Sequence, residues 1–235
     1  MWLRLGRASK IAIDYREPLV PVTLTRILGF GLLAVSLAAP SAFAQTASAD
    51  VQHVVNWVRH AHDNQGLPFL IVDKVRAQVF VFYADGRLRG ASAALLGLAV
   101  GDDSVPGIGD RKLTSILPQE RTTPAGRFVA NLDRNLGGKE ILWVDYASAI
   151  SLHPVITSDV KEQRAQRLAT TSALDNRISY GCINVPADFF RRVVSAAFKK
   201  SNGIVYVLPE TRSLQEVFAS YDVAGPSAPD LAARP

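Results

Sequence analysis

Gln78-Val79-Phe80-Val81-Phe82-Tyr83-Ala84-Asp85-Gly86-Arg87-Leu88-Arg89 carries the pattern that decides the fold. A β-branched and aromatic run, an Asp-Gly pair and a second extended run read as strand, tight turn, strand, because Asp-Gly tolerates the left-handed backbone of a two-residue turn. The strands predicted here are Val79–Tyr83 and Leu88–Leu96, with Phe69–Val72 preceding them. Further short runs predict strands at Arg127–Asn131, Ile141–Tyr146 and Ala149–His153, with a turn from Asn135 to Gly138. A last strand, Ile204–Leu208, is stopped by Pro209.

Helical periodicity is rarer. Val51, Val54, Val55, Val58 and Ala61 fall on one helical face, with Asp50 as the expected N-cap and Gly66 and Pro68 beyond the end. Thr157-Ser158-Asp159 is expected to open a short charged helix, Glu162 completing a capping box with Asp159. Pro186 starts a third helix, with Phe190, Val193, Val194, Ala197 and Phe198 as its apolar stripe and Lys199, Lys200 and Gly203 at its close. Residues 97–124 read as a long, irregular surface loop; its Gly107-Ile108-Gly109 lacks the further Gly and the Lys-Ser/Thr of a phosphate loop. Many short strands and few helices predict a mainly β fold with peripheral helices, a sandwich or half-barrel.

The 235 residues are 48% hydrophobic and 20% charged, which excludes a collagen-like or low-complexity chain. A single Cys excludes a disulfide framework and a CxxC site. Of the formal net charge of +5, residues 1–44 hold +3, so the remainder is too weakly basic to indicate nucleic acid as a partner. Arg26, the apolar run Ile27–Leu37 and Ala42-Phe43-Ala44 make the three parts of an export signal, with cleavage expected after Ala44. The run is shorter than the roughly 20 residues that span a bilayer, so no stable membrane insertion is expected. The polar stretch before Arg26 is long for such a signal and places the start of translation near Val20 or Val22, which mapping the precursor's N-terminus would test. The expected organisation is a signal over 1–44, an N-terminal helical segment over 45–67, one domain over 68–210, and a tail over 211–235 that is disordered after about 223. In a bacterium the mature product is then periplasmic or in the cell envelope.

Chemistry centres on Cys182. An unpaired thiol is a liability in an oxidising compartment unless it is used or hidden. It lies in Ser179-Tyr180-Gly181-Cys182-Ile183-Asn184, where Gly181 permits a sharp turn and a close substrate approach. A thiolate nucleophile needs a base or cation beside it, and His153 is the His outside the N-terminal helix. His53, His60 and His62 lack the i, i+4 spacing of a zinc pair, so no metal is expected.

Three motifs in order resemble the L,D-transpeptidase catalytic domain, the YkuD family. These are Val72-Asp73 to Asp85-Gly86 as an opening hairpin, Thr123-Pro124-Ala125-Gly126-Arg127-Phe128, and the His153…Ser179-x-Gly181-Cys182-x-Asn184 signature. The resemblance covers about residues 68–208. It implies a YkuD-like β fold with Cys and His facing a cleft, and peptidoglycan stem peptides as substrate. Cys182 would attack the carbonyl joining a diamino-acid residue to the terminal D-alanine, with His153 as the proton carrier and the N–H groups of Cys182 and Gly181 at the oxyanion. An amine of a second stem would then make a 3→3 cross-link. No cofactor is implied, and carbapenems are the expected inhibitors.

Where the family carries a second His, this chain has Tyr180, which is no base near neutral pH. Tyr180 is expected to orient His153 or the substrate, Asn184 to bind substrate or fix the turn before Pro186, Arg177 to bind a substrate carboxylate, and Ser179 to bond His153 or fix the turn. The charged segment with Lys161, Glu162, Arg164 and Arg167 lengthens the His–Cys separation and reads as a surface insertion or a lid. Trp143 and Tyr146 read as core packing rather than substrate stacking. Water as acceptor would make the chain an L,D-carboxypeptidase, and a protein acceptor would make it an enzyme that links an envelope protein to, or releases it from, peptidoglycan. A wall-binding module without catalysis is the non-enzyme alternative. A papain-like protease is disfavoured because its Cys precedes its His.

Overall fold

The structure, a computed structural model, describes residues 47–223; the predicted export signal, its cleavage site and the tail after 223 lie outside them. The first helix, α1 (Ala49–Ala61), begins earlier than its apolar periodicity indicated. Ser48, in an extended conformation, is the N-cap and accepts the Val51 N–H, while Asp50 sits inside the first turn, where its charge meets the positive helix end. The helix ends at His62 in the left-handed region, before Gly66.

Strands β1 (Phe69–Asp73), β2 (Gln78–Phe82) and β3 (Leu88–Ala93) follow as an antiparallel ladder. The Asp85-Gly86 turn forms with Gly86 at φ +84° and the Asp85 carboxylate accepting the Arg87 N–H. The strand predicted to run on to Leu96 breaks after Ala93, and Leu96–Gly97 forms a separate β4. β5 (Gly126–Arg134), β6 (Glu140–Asp145) and β7 (Ile150–Pro154) make the central meander. β8 (Arg177–Ser179), β9 (Ile183–Val185) and β10 (Gly203–Val207) complete the strands of the described residues. Eight of them form one sheet in the order β3-β2-β1-β10-β5-β6-β7-β9, and β4 pairs with β8 in a second.

The large sheet curls until its two ends meet. Leaving β3, the chain places Leu95 against Asn184 of β9, with two backbone hydrogen bonds of 2.8 and 2.9 Å between them. The fold is mainly β with peripheral helices, as predicted, built on one nearly closed eight-stranded sheet.

Strand alternation produces two cores. Leu70, Val72, Val79, Val81, Leu142, Leu152 and Val205 face the interior of the curl. Phe69, Ile71, Phe80, Phe82, Ile204 and Tyr206 face the opposite way and are covered by Val51, Val54, Val55 and Val58 of α1. β1 is therefore buried on both faces, which is why Phe69–Val72 reads as a continuous apolar run rather than an alternating one. The helical stretch after Pro186 comprises α3 (Ala187–Phe189), a π-helical segment (Phe190–Ser195) and α4 (Ala196–Phe198). Its Phe190, Val194 and Phe198 join the interior core.

Two predicted features are corrected. Residues 97–124 are not simply a surface loop. They wind through three short 3-10 turns, and Asp102 and Thr123 are buried because both meet the fully buried ammonium of Lys74. The capping box at Asp159 is absent. Asp159 caps the Lys161 N–H, and the Glu162 carboxylate turns instead to Arg164. A left-handed Gln163 then separates the 3-10 turn Val160–Glu162 from α2 (Arg164–Ala169). The last described helix, α5 (Leu214–Phe218), is capped by Ser213, and no described helix is long and apolar enough to cross a membrane.

Candidate active site

β7 and β9 run side by side in parallel, with Leu152 opposite Ile183 and His153 opposite Asn184. One step back along this register sets Cys182 beside Ser151. Leu152 and Ile183 point into the interior core, so the alternation turns Ser151, His153 and Cys182 to the other face together. The topology thus joins residues that lie far apart in the sequence.

The imidazole of His153 and the Cys182 thiol share one face of the β7–β9 pair, and each shifts the titration of the other. The imidazole Nδ1 donates to the Pro154 carbonyl oxygen at 2.8 Å, which fixes the tautomer and leaves Nε2 to exchange a proton with sulfur. The sulfur lies 3.6 Å from Ser151 Oγ and 3.7 Å from the Ala149 carbonyl oxygen. Burial pushes the thiol upward, but His153, with the Ser151 N–H and hydroxyl, outweighs it and holds the thiol below its ordinary value. Burial pushes the imidazole downward, and the sulfur reverses that, so His153 lies above its ordinary value. Both shifts favour a thiolate–imidazolium pair. Cys182 and His153 are each only partly buried, so the pair is not sealed inside the protein.

Ser179 does not bond His153. Its hydroxyl donates to the Cys182 carbonyl at 2.6 Å and accepts the Gly181 N–H at 3.1 Å, locking the turn. The Gly181 N–H, expected at the oxyanion, therefore already has a partner. Gly181 itself adopts φ +123°, and a Cβ there would stand 2.6 Å from the Thr122 carbonyl oxygen and 2.7 Å from Ile150 Cδ1. Thr123 braces the same turn, its hydroxyl donating to the Gly181 carbonyl at 2.8 Å and accepting the Gly97 N–H at 2.9 Å.

Asn184 donates to the Cys182 carbonyl at 3.2 Å and accepts from Arg164 Nη1 at 2.8 Å. Arg164, also paired with Glu162, brings the charged insertion onto the floor of the site, and its charge acts on His153. Tyr180 does not reach the imidazole; the guanidinium of Arg121 lies 3.9 Å above its ring centre. Arg177 is engaged by a buried ion pair with Glu210 and by the Lys74 carbonyl. Trp143 and Tyr146 are not core residues: their rings stack at 4.9 Å on the sheet's outer face, and Tyr146 is 58% exposed. The α1 histidines bind the C-terminal segment instead of each other, His53 at Ser220 and His60 at Tyr221.

Sequence reasoning missed Ser151, although it stands two residues before His153 on a strand and so must share its face. Arg121 carried no sequence signal, and Arg164 was legible only as part of the insertion, because the fold alone brings each near the motif.

No family model and no curated protein matches the chain. Among solved structures, it is similar to the helical cell shape determining protein Pgp2 from Campylobacter jejuni at 15% identity and a TM-score of 0.43, covering 68% of this chain and 57% of that one. The K307A mutant of Pgp2 matches at 13% identity and a TM-score of 0.43, covering 71% of this chain and 58% of that one. L,D transpeptidase LdtMt1, in complex with imipenem, matches at 16% identity and a TM-score of 0.35, covering 60% of this chain and 58% of that one. The chain thus spans less than three-fifths of the length of each.

Proposed function

We propose that this chain is a cysteine acyltransferase acting on peptidoglycan stem peptides, an L,D-transpeptidase that forms 3→3 cross-links. The observation that carries this reading is the parallel register that sets the protein's one thiol and an imidazole on the same face of β7 and β9, the imidazole's Nδ1 being held by a backbone carbonyl. The motif resemblance supplies the substrate class, since the dyad supports acyl transfer and says nothing of its donor.

In the first half-reaction the Cys182 thiolate attacks the carbonyl carbon next to the terminal D-alanine. The Cys182 N–H is the oxyanion donor left in the turn once the Gly181 N–H is engaged by Ser179. The imidazolium of His153 gives its proton to the departing amine, the C–N bond breaks, and a thioester remains on sulfur. In the second half-reaction the amine of another stem attacks the thioester carbonyl. His153 takes the proton of that amine, and the C–S bond breaks to restore the thiolate. Ser151 stabilises the thiolate of the free enzyme, before the first attack and again once the C–S bond has broken. Nothing in these steps calls for a metal or organic cofactor.

Intact mass after incubation with a disaccharide-tetrapeptide tests the reading. The expected result is an adduct on Cys182 lacking D-alanine, followed by release of a cross-linked dimer. Release of the tripeptide alone would assign an L,D-carboxypeptidase, and an inert thiol with retained wall affinity would assign a binding module. A carbapenem should acylate the same sulfur.

A further inference from the structure

The sheet face that carries the dyad is covered unevenly. α1 shields it over β1, β2 and β10, where Phe69, Ile71, Phe80, Ile204 and Tyr206 are buried. The shield stops at β5: Ile204 is paired with Val129, yet Val129 is 56% exposed. From there to the nucleophile the register is continuous, Asn131 opposite Trp143 and Trp143 opposite Ser151, which touches the sulfur. At the far side the face is closed again by the insertion that carries Arg164. Between α1 and the insertion the face is therefore a half-exposed strip floored by Trp143 and Asn131, ending at the buried Ser151 and the thiol beside it.

Its floor is rigid. Tyr146 stacks on Trp143 and donates its hydroxyl hydrogen bond to Asn131 Oδ1 at 3.2 Å. Three strand spacings separate the Val129 row from the Cys182 row, roughly 14 Å, the reach of about four extended residues. The direction of the occupant follows from proton chemistry. The leaving amine must lie beside His153, so the acyl portion extends the other way, across Ser151 towards Trp143.

We infer that the Trp143–Tyr146 pair with Asn131 is the acyl-donor subsite, which grips the stem peptide on the acyl side of the bond that Cys182 attacks. This rests on the reading of the dyad as a peptide acyltransferase. The aromatic faces take the apolar backbone and side-chain surface of the peptide, and the Asn131 amide meets its polar groups. Trp143 is a specificity residue here, distant from the reacting atoms.

The test compares acylation of Cys182 by a disaccharide-tetrapeptide in the full chain and in Trp143→Ala, Trp143→Phe and Tyr146→Ser. Trp143→Ala should slow acylation about tenfold and Trp143→Phe should restore most of it, while alkylation by iodoacetamide, which needs no subsite, stays unchanged in all four. Acylation of Trp143→Ala at the parent rate, or a parallel loss of alkylation, would overturn the inference. A second readout separates it from the reaction: in Cys182→Ala, tetrapeptide should change tryptophan emission, and Cys182→Ala/Trp143→Phe should abolish the change. If the parent chain is never acylated but this emission change appears, the reaction reading falls and the subsite stands. If neither appears, both fall.

Discussion

At the scale of single residues, His153 decides how the sulfur behaves. Burial alone would raise the Cys182 thiol, and the imidazole reverses the sign. In His153→Ala, burial is left opposed only by Ser151, so the midpoint of the pH profile for alkylation should move upward, to or beyond the ordinary thiol value of about 8.5. In the parent chain it should lie below that value. An unmoved midpoint, read from iodoacetamide rates between pH 5 and 10, would remove His153 from the dyad. Cys182 and His153 were legible in the sequence because their types are rare here and their chemistry is specific. Ser151 was not, since a serine becomes a thiolate partner only through its register against β9. Arg177 misled for the opposite reason: a charge beside the motif looks available until the fold supplies Glu210.

At the scale of elements, the turn that presents Cys182 is fitted between its neighbours with no space to spare. Gly181→Ala would need φ +123° with a side chain and would drive its Cβ into the Thr122 carbonyl. A loss of about 1–3 kcal/mol is expected, with acylation failing by more than the fold does; thermal unfolding and burst amplitude measured together check this. The link from α2 to β9 gives a second expectation. Arg164→Ala and Asn184→Ala should be non-additive, with a coupling of about 0.5–3 kcal/mol, because each removes the same 2.8 Å bond. Additive effects in a double-mutant cycle would show the insertion to be independent of the site. The strands were readable from period-two runs and turn residues. The ends of the insertion were not, because Glu162 chose Arg164 over the helix cap and Gln163 took a left-handed backbone that its sequence does not announce. Residues 97–124 looked like solvent-facing chain for a similar reason: the buried partner of Asp102 comes from a different hairpin.

At the scale of the whole molecule, a charged network runs beneath the site. Lys74 donates to Asp102 at 2.7 Å and to the carbonyls of Gly101 and Thr123, while Asp102 also accepts the N–H groups of Glu210, Thr211 and Arg212. Burial pushes the Asp102 carboxyl upward, but these donors outweigh it and hold it well below the usual carboxylate range. A depressed native value means that its stabilisation is complete above about pH 4 and is lost as pH falls towards the native value. Asp102→Asn should cost about 3–5 kcal/mol near neutrality, and its stability should vary less with pH below 4 than that of the parent. Chemical denaturation at several pH values measures both.

The contact between Leu95 and Asn184 joins the first hairpin of the sheet to the strand that follows Cys182. A single clasp thus serves architecture and chemistry at once. Nicking the polypeptide near Leu95 would disarm a sulfur remote along the chain, and on heating the thiol should lose its reactivity in the same step in which the barrel opens.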